Sequence, residues 1–209
     1  MKFQLSAALL GLGATAVSAQ YNQTGPFVLH IKGTAHNSKI NGYGSSCHAG
    51  AAIEGLCYSA KTNTTDLSNE YYQYYFNYTT YNQVNDDNVG ILVWNLPYSD
   101  GEGNTEYESQ SMGLVYQPNS NVAAPQFGFS NYEFNGGFDK KGLFFGYNYI
   151  DDSKFVAGQE PADVPTAYYQ WYVCWQYFTG YFYQSVAWVQ TGAPHNPTCE
   201  SVEIIKVAV

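Results

Sequence analysis

The segment YYQWYVCWQYFTGYFYQSVAWVQ, Tyr168 to Gln190, reads as a β-hairpin. Two runs of aromatic and β-branched residues flank Thr179-Gly180, a two-residue loop whose glycine supplies the positive φ of a tight hairpin turn. Counting outward from that loop opposes Tyr177 to Phe182, Val173 to Val186 and Trp171 to Trp188. Side chains alternate across a strand, so these residues share one face with Trp175, and that face is expected in the core. The other face carries Tyr172, Cys174, Gln176, Tyr181, Tyr183 and Ser185. Rings and amides together suit a carbohydrate, whose C–H surface stacks on aromatic faces while its hydroxyls bond to polar groups. Tyr172, Tyr181 and Tyr183 are therefore the candidate ligand-binding residues.

Strand patterns continue on both sides of the hairpin. Phe27 to Lys32 alternates with Phe27, Leu29 and Ile31 on one face, and similar runs follow at Tyr71–Tyr78, Val89–Trp94, Met112–Tyr116, Phe127–Phe134, Leu143–Ile150 and Val202–Val209. Clusters of Asn, Asp, Gly and Pro separate them. A helical turn is expected only between Cys47 and Cys57, where Ala49, Ala51, Ala52 and Glu54 sit together. About ten short strands at this spacing predict an all-β protein, an antiparallel sandwich of jelly-roll type.

Near its start the chain carries Lys2 and an apolar run from Leu5 to Val17 that ends in small residues, Val17-Ser18-Ala19. This is the pattern of a cleavable export signal over residues 1–19, too short to span a bilayer. Residues 20–209 are then expected to form one secreted domain. Four cysteines in an exported chain read as two disulfides. Three pairings are possible, and Cys47–Cys57 with Cys174–Cys199 closes the shortest loops. Asn22, Asn63 and Asn77 open N-glycosylation sequons. A glycan on Asn77 would place its face outside, with Tyr71, Gln73 and Tyr75, and turn Tyr72, Tyr74 and Phe76 inward.

Charged residues make up only 12% of the chain, the formal charge is −9, and there is no arginine. Without a basic patch or a guanidinium fork, nucleic acid and anionic membranes are not expected partners. A monomer is expected.

The stretch Cys47-His-Ala-Gly-Ala-Ala-Ile-Glu-Gly-Leu-Cys57 resembles the C-H-x-G-A-A-I-E-x-L-C segment of a family of small secreted proteins from filamentous fungi. Trp171-Tyr-Val-Cys174 followed by Pro194-His-Asn-Pro-Thr-Cys199 matches the same family further on. The likeness runs from Phe27 to the C-terminus, and His48-Ala49 departs from the family's His-Glu pair. That family is a domain of unknown function, so the resemblance implies a fungal, extracellular origin and no catalytic residues.

Catalytic chemistry finds little support. A glycosidase needs two carboxyls across a cleft. Glu106 and Glu108 on one face of a strand, or Glu133, are the candidates, while Asp100 and Glu102 read as turn residues. His30, His36, His48 and His195 lack metal-site spacing, and Asp86-Asp87-Asn88 and Asp151-Asp152 fall short of a calcium loop. No nucleophile elbow occurs. The expected function is a non-enzymatic, cell-wall-associated or host-facing module without cofactor or metal, its partner a polysaccharide or a host protein. A glycan-active enzyme is the rival.

Overall fold

The computed structural model describes residues 21–60, 67–128 and 133–209. The proposed export signal and Asn63 lie outside them. Thirteen strands are formed among the described residues: β1 (Asn22–Gly33), β2 (Asn41–Gly50), β3 (Ile53–Ser59), β4 (Tyr74–Val84), β5 (Asp87–Ser99), β6 (Thr105–Tyr116), β7 (Val122–Gly128), β8 (Asn135–Phe138), β9 (Phe144–Asn148), β10 (Thr166–Tyr168), β11 (Trp171–Phe178), β12 (Tyr181–Val189) and β13 (Glu200–Ala208).

These strands do not make the jelly-roll sandwich expected from their number and spacing. Pairing runs β5–β4–β1–β13–β11–β12–β3–β7–β6 and returns from β6 to β5, closing nine antiparallel strands into a barrel. A sandwich leaves sheet edges open, whereas closure removes them from the ring. Strand number and spacing are alike in the two architectures. The difference lies in which edges meet, and long-range pairs such as Trp188↔Ala123, Ser185↔Cys57 and Gly55↔Gln126 decide it. Strand β2 bridges β1 and β3, and β8, β9 and β10 extend the sheet from β5.

The barrel is filled by one large apolar cluster. Phe27, Leu29 and Ile31 of β1 enter it as their alternation requires, joined by Tyr74, Phe76, Trp94, Met112, Phe127, Trp171 and Trp188. Tyr72 is also buried, packed with Val28 and Leu67 in a smaller cluster. Tyr71, Gln73, Tyr75 and Asn77 retain exposure, so the two faces of this segment divide as expected. Glu70–Tyr72 is a 3-10 turn rather than strand, capped by the Asn69 side chain, which accepts from the Tyr71 N–H.

Two local expectations also need correction. Cys47 to Cys57 contains no helical turn: β2 and β3 form a hairpin there, reversing at Ala51-Ala52 with Ala52 at φ 54°. The expected strand Phe127–Phe134 does not reach its C-terminal end: Phe127 and Gly128 belong to β7, Glu133 makes an isolated bridge to Gly113, and Phe134 is outside any strand. Residues 129–132 lie outside the described residues. Both expected disulfides are present. Cys47–Cys57 clamps β2 to β3, and Cys174–Cys199 ties β11 to the segment entering β13.

Candidate ligand-binding site

The β11–β12 hairpin has the register read from its turn, with Trp171 opposite Trp188, Val173 opposite Val186 and Tyr177 opposite Phe182. Thr179 and Gly180 both take positive φ, 50° and 92°, as a type I′ turn demands. At its base the inner face is core. Trp171 is 1% exposed, stacks on Phe144 at 5.1 Å, meets Trp188 edge-on at 4.8 Å, and donates its indole N–H to the Phe144 carbonyl at 2.8 Å.

The same face leaves the barrel partway along the hairpin. Strand β13 pairs with β11 only at Tyr172 and Val173, and β3 pairs with β12 at Ser185. Beyond these points the two strands pair only with each other among the described residues. Trp175, Tyr177 and Phe182, expected in the core, are 44%, 68% and 61% exposed. A period of two assigns residues to a face but says nothing about how far the barrel reaches along it. Trp175 and Phe182 stack on each other with centroids 5.2 Å apart and planes 26° apart. Half-buried Gln184 lies directly opposite Trp175.

Both cysteine segments brace this ribbon. On one flank, the Trp175 N–H donates to Thr198 Oγ1 at 2.9 Å, and the Trp175 carbonyl accepts from Asn196 Nδ2 at 2.8 Å. Asn196 Oδ1 in turn accepts from the backbone N–H and the hydroxyl of Thr198, and the next residue, Cys199, is bonded to Cys174. The backbone under the exposed indole is thus held through both its N–H and its carbonyl by this one segment. Against the opposite face, buried Phe178 packs with Ala49 and Ala124 and against Cys47 and Ile53. A Cβ on Gly55 would lie 3.0 Å from the Phe178 ring and 3.1 Å from Cys47 Sγ, so a larger residue there would have to push Phe178 or the bridge aside.

Two of the three candidate tyrosines come together on this braced face. Tyr181 and Tyr183 stack nearly parallel at 5.8 Å, and His48 meets Tyr181 edge-on at 5.2 Å. His48 Nδ1 lies 3.6 Å from Glu54 Oε1. Tyr172 does not join them: it sits at the hairpin base, opposite Ala187 and packed against the buried cluster of Val122, Cys174, Ala187 and Val189. The more exposed stack of the hairpin is Trp175 on Phe182, two residues that alternation alone assigns to the core.

Burial holds the Glu54 carboxyl above its ordinary range, and the nearby His48 offsets this only in part. A carboxyl whose folded pKa is raised penalises folding when ionised, and the penalty disappears as pH falls below the unfolded value, about 4.3. Glu54→Gln is therefore expected to raise the urea midpoint at pH 7, with the gain vanishing near pH 4. A lower midpoint at pH 7 would mean that the His48 contact outweighs the burial cost.

The remaining candidates are dispersed. Glu106 and Glu108 are exposed on β6, and Glu133 is exposed beside Gly113. Asp100 organises its own turn, accepting from the Glu102 and Asn104 backbone and the Asn104 amide, and these bonds lower its pKa. Asp151 accepts from Ser153 and pairs with Lys154, and Asp86 lies 3.7 Å from Lys140. His30 contacts the Asn41 side chain. Among the described residues no cluster of three His, Cys, Asp or Glu residues could hold a metal, and no helix is long and apolar enough to cross a membrane.

A family model described as "Domain of unknown function (DUF7907)" matches residues 24–208. No curated protein and no solved structure matches the chain.

Proposed function

The chain belongs to the DUF7907 family, and because that family carries no assigned activity we propose a function from the geometry: a secreted, non-catalytic fungal module that binds neutral polysaccharide through Trp175, Tyr177 and Phe182. The observation that carries this reading is the exposed Trp175–Phe182 stack on a ribbon without charge. From Val164 to Cys199 there is no Asp, Glu, Lys or Arg, although the chain as a whole has a formal charge of −9. Exposed aromatics gathered in one place mark interaction surfaces. A charged partner would find no complement here, whereas an uncharged sugar chain needs only flat rings and neutral polar neighbours such as Gln184.

Secretion is part of the proposal. Two disulfides suit an oxidising compartment, and the apolar N-terminal run supplies the export signal. Asn22 is exposed and Asn77 partly exposed, so both sequons stand where a glycan can be carried. Asn77 Oδ1 accepts from Gln23 Nε2 at 2.8 Å, which leaves its own Nδ2 for the sugar.

The test is retention of the purified protein on insoluble chitin, β-glucan and xylan, with reducing-sugar release measured in parallel. Retention without release is the expected result. Release abolished by Glu→Gln changes at Glu106, Glu108 or Glu133 would identify an enzyme instead. Absence of both would favour a protein partner.

A further inference from the structure

A second feature lies on the barrel wall, away from the exposed ribbon. After Ser201 pairs with Tyr172, β13 parts from β11, and it next meets a partner on that edge at Leu143↔Ile205. Among the described residues Val202–Ile204 therefore has β1 on one side and no strand on the other. A cleft of about 380 Å³ fills this gap. Phe144 and Trp171 close its base but are each 1% exposed, so the apolar surface open to a ligand lies on half-buried Leu143 and on the Tyr169 ring, 48% exposed.

The rim is polar and built rather than loose. Asp139 Oδ1 accepts from the N–H groups of Lys141 and Leu143 at 2.8 and 2.9 Å, and Oδ2 accepts from the Tyr169 hydroxyl at 3.1 Å. Burial and the Asp139 charge push the Tyr169 pKa to about 12, so the phenol keeps its proton on Asp139 and its own oxygen remains an acceptor. Glu203, Lys141, Thr34 and Ser201 complete the rim. Asp139 and Glu203 outnumber Lys141, which disfavours an anion. The rim offers both donors and acceptors beside Leu143 and the Tyr169 ring, and a sugar hydroxyl both donates and accepts.

We propose that this gap in the barrel wall binds a single uncharged pyranose ring, with its C–H face against Leu143 and the Tyr169 ring and its hydroxyls on Asp139, Tyr169, Lys141 and Glu203. The volume is at the lower end of the roughly 300–1,000 Å³ of ligand clefts, room for one ring rather than a chain. This site does not depend on the hairpin reading.

Titration with the methyl glycosides of glucose, xylose and N-acetylglucosamine, followed by amide chemical shifts, tests it. Glucuronic acid serves as the anionic contrast. At least one neutral glycoside is expected to bind with Kd on the order of 1 mM. Leu143→Trp, which fills the gap, and Glu203→Ala, an exposed change that leaves the core alone, should each weaken it at least tenfold. Trp175→Ala/Phe182→Ala should leave it unchanged. The proposal is overturned if no neutral glycoside saturates, if glucuronic acid binds as tightly, or if Glu203→Ala leaves the affinity intact. Failure of polysaccharide retention with glycoside binding preserved would count against the hairpin face alone.

Discussion

Trp171→Ala is expected to lower the unfolding free energy by about 3–5 kcal/mol, the range for removing a fully buried large aromatic. The indole touches Phe144, Phe134 and Trp188 at centroid distances of 5.1, 5.4 and 4.8 Å, so its loss opens a cavity where β9, β11 and β12 meet. It also strands the Phe144 carbonyl, which accepts the buried indole N–H. Trp175→Ala, on the same face four residues later, should change stability by less than about 1 kcal/mol, since much of its side chain is already in water. Urea denaturation of the pair measures the contrast. Similar losses for both would show that the hairpin tip is packed into the barrel rather than projecting from it.

Removing the Cys174–Cys199 bridge is the second large effect. The two cysteines are 25 residues apart in sequence, against 10 for Cys47 and Cys57. Loop-closure entropy assigns about 3.5 kcal/mol to the longer loop and about 2.7 kcal/mol to the shorter. Cys174→Ser/Cys199→Ser should therefore cost more stability than Cys47→Ser/Cys57→Ser, as read from urea midpoints under identical conditions. It should also free Asn196 and Thr198 from the Trp175 backbone, so polysaccharide retention should fall in this variant even at temperatures where it stays folded. Equal retention in the two disulfide variants would separate the bridge from the binding face.

The hairpin shows both what local sequence can specify and where it stops. Its register was legible because Thr179-Gly180 admits one turn geometry, and the alternation of Trp171, Val173, Trp188 and Val186 named the core face at its base. The fate of Trp175, Tyr177 and Phe182 was not legible. Their exposure depends on where β13 and β3 stop pairing with the hairpin, which is a property of distant segments. Barrel closure was hidden for the same reason. The Ala49, Ala51 and Ala52 cluster suggested helix on propensity alone, and the Cys47–Cys57 hairpin overrode it by pairing β2 with β3 from Tyr43↔Ser59 to Gly50↔Ile53. Of the tyrosines proposed for ligand contact, Tyr181 and Tyr183 adjoin one another beside His48, while Tyr172 lies at the other end of the hairpin beside the Cys174–Cys199 bridge. Nothing local marked the cleft at Val202–Ile204, because a gap in a wall is defined only by the strands around it.

Retention of Trp175→Ala/Phe182→Ala on the polysaccharide that holds the wild-type protein tests the binding face most directly. At least a tenfold loss of affinity, about 1.4 kcal/mol, is expected, with the urea midpoint nearly unchanged. Undiminished retention by a folded double variant would show that the sugar chain binds elsewhere.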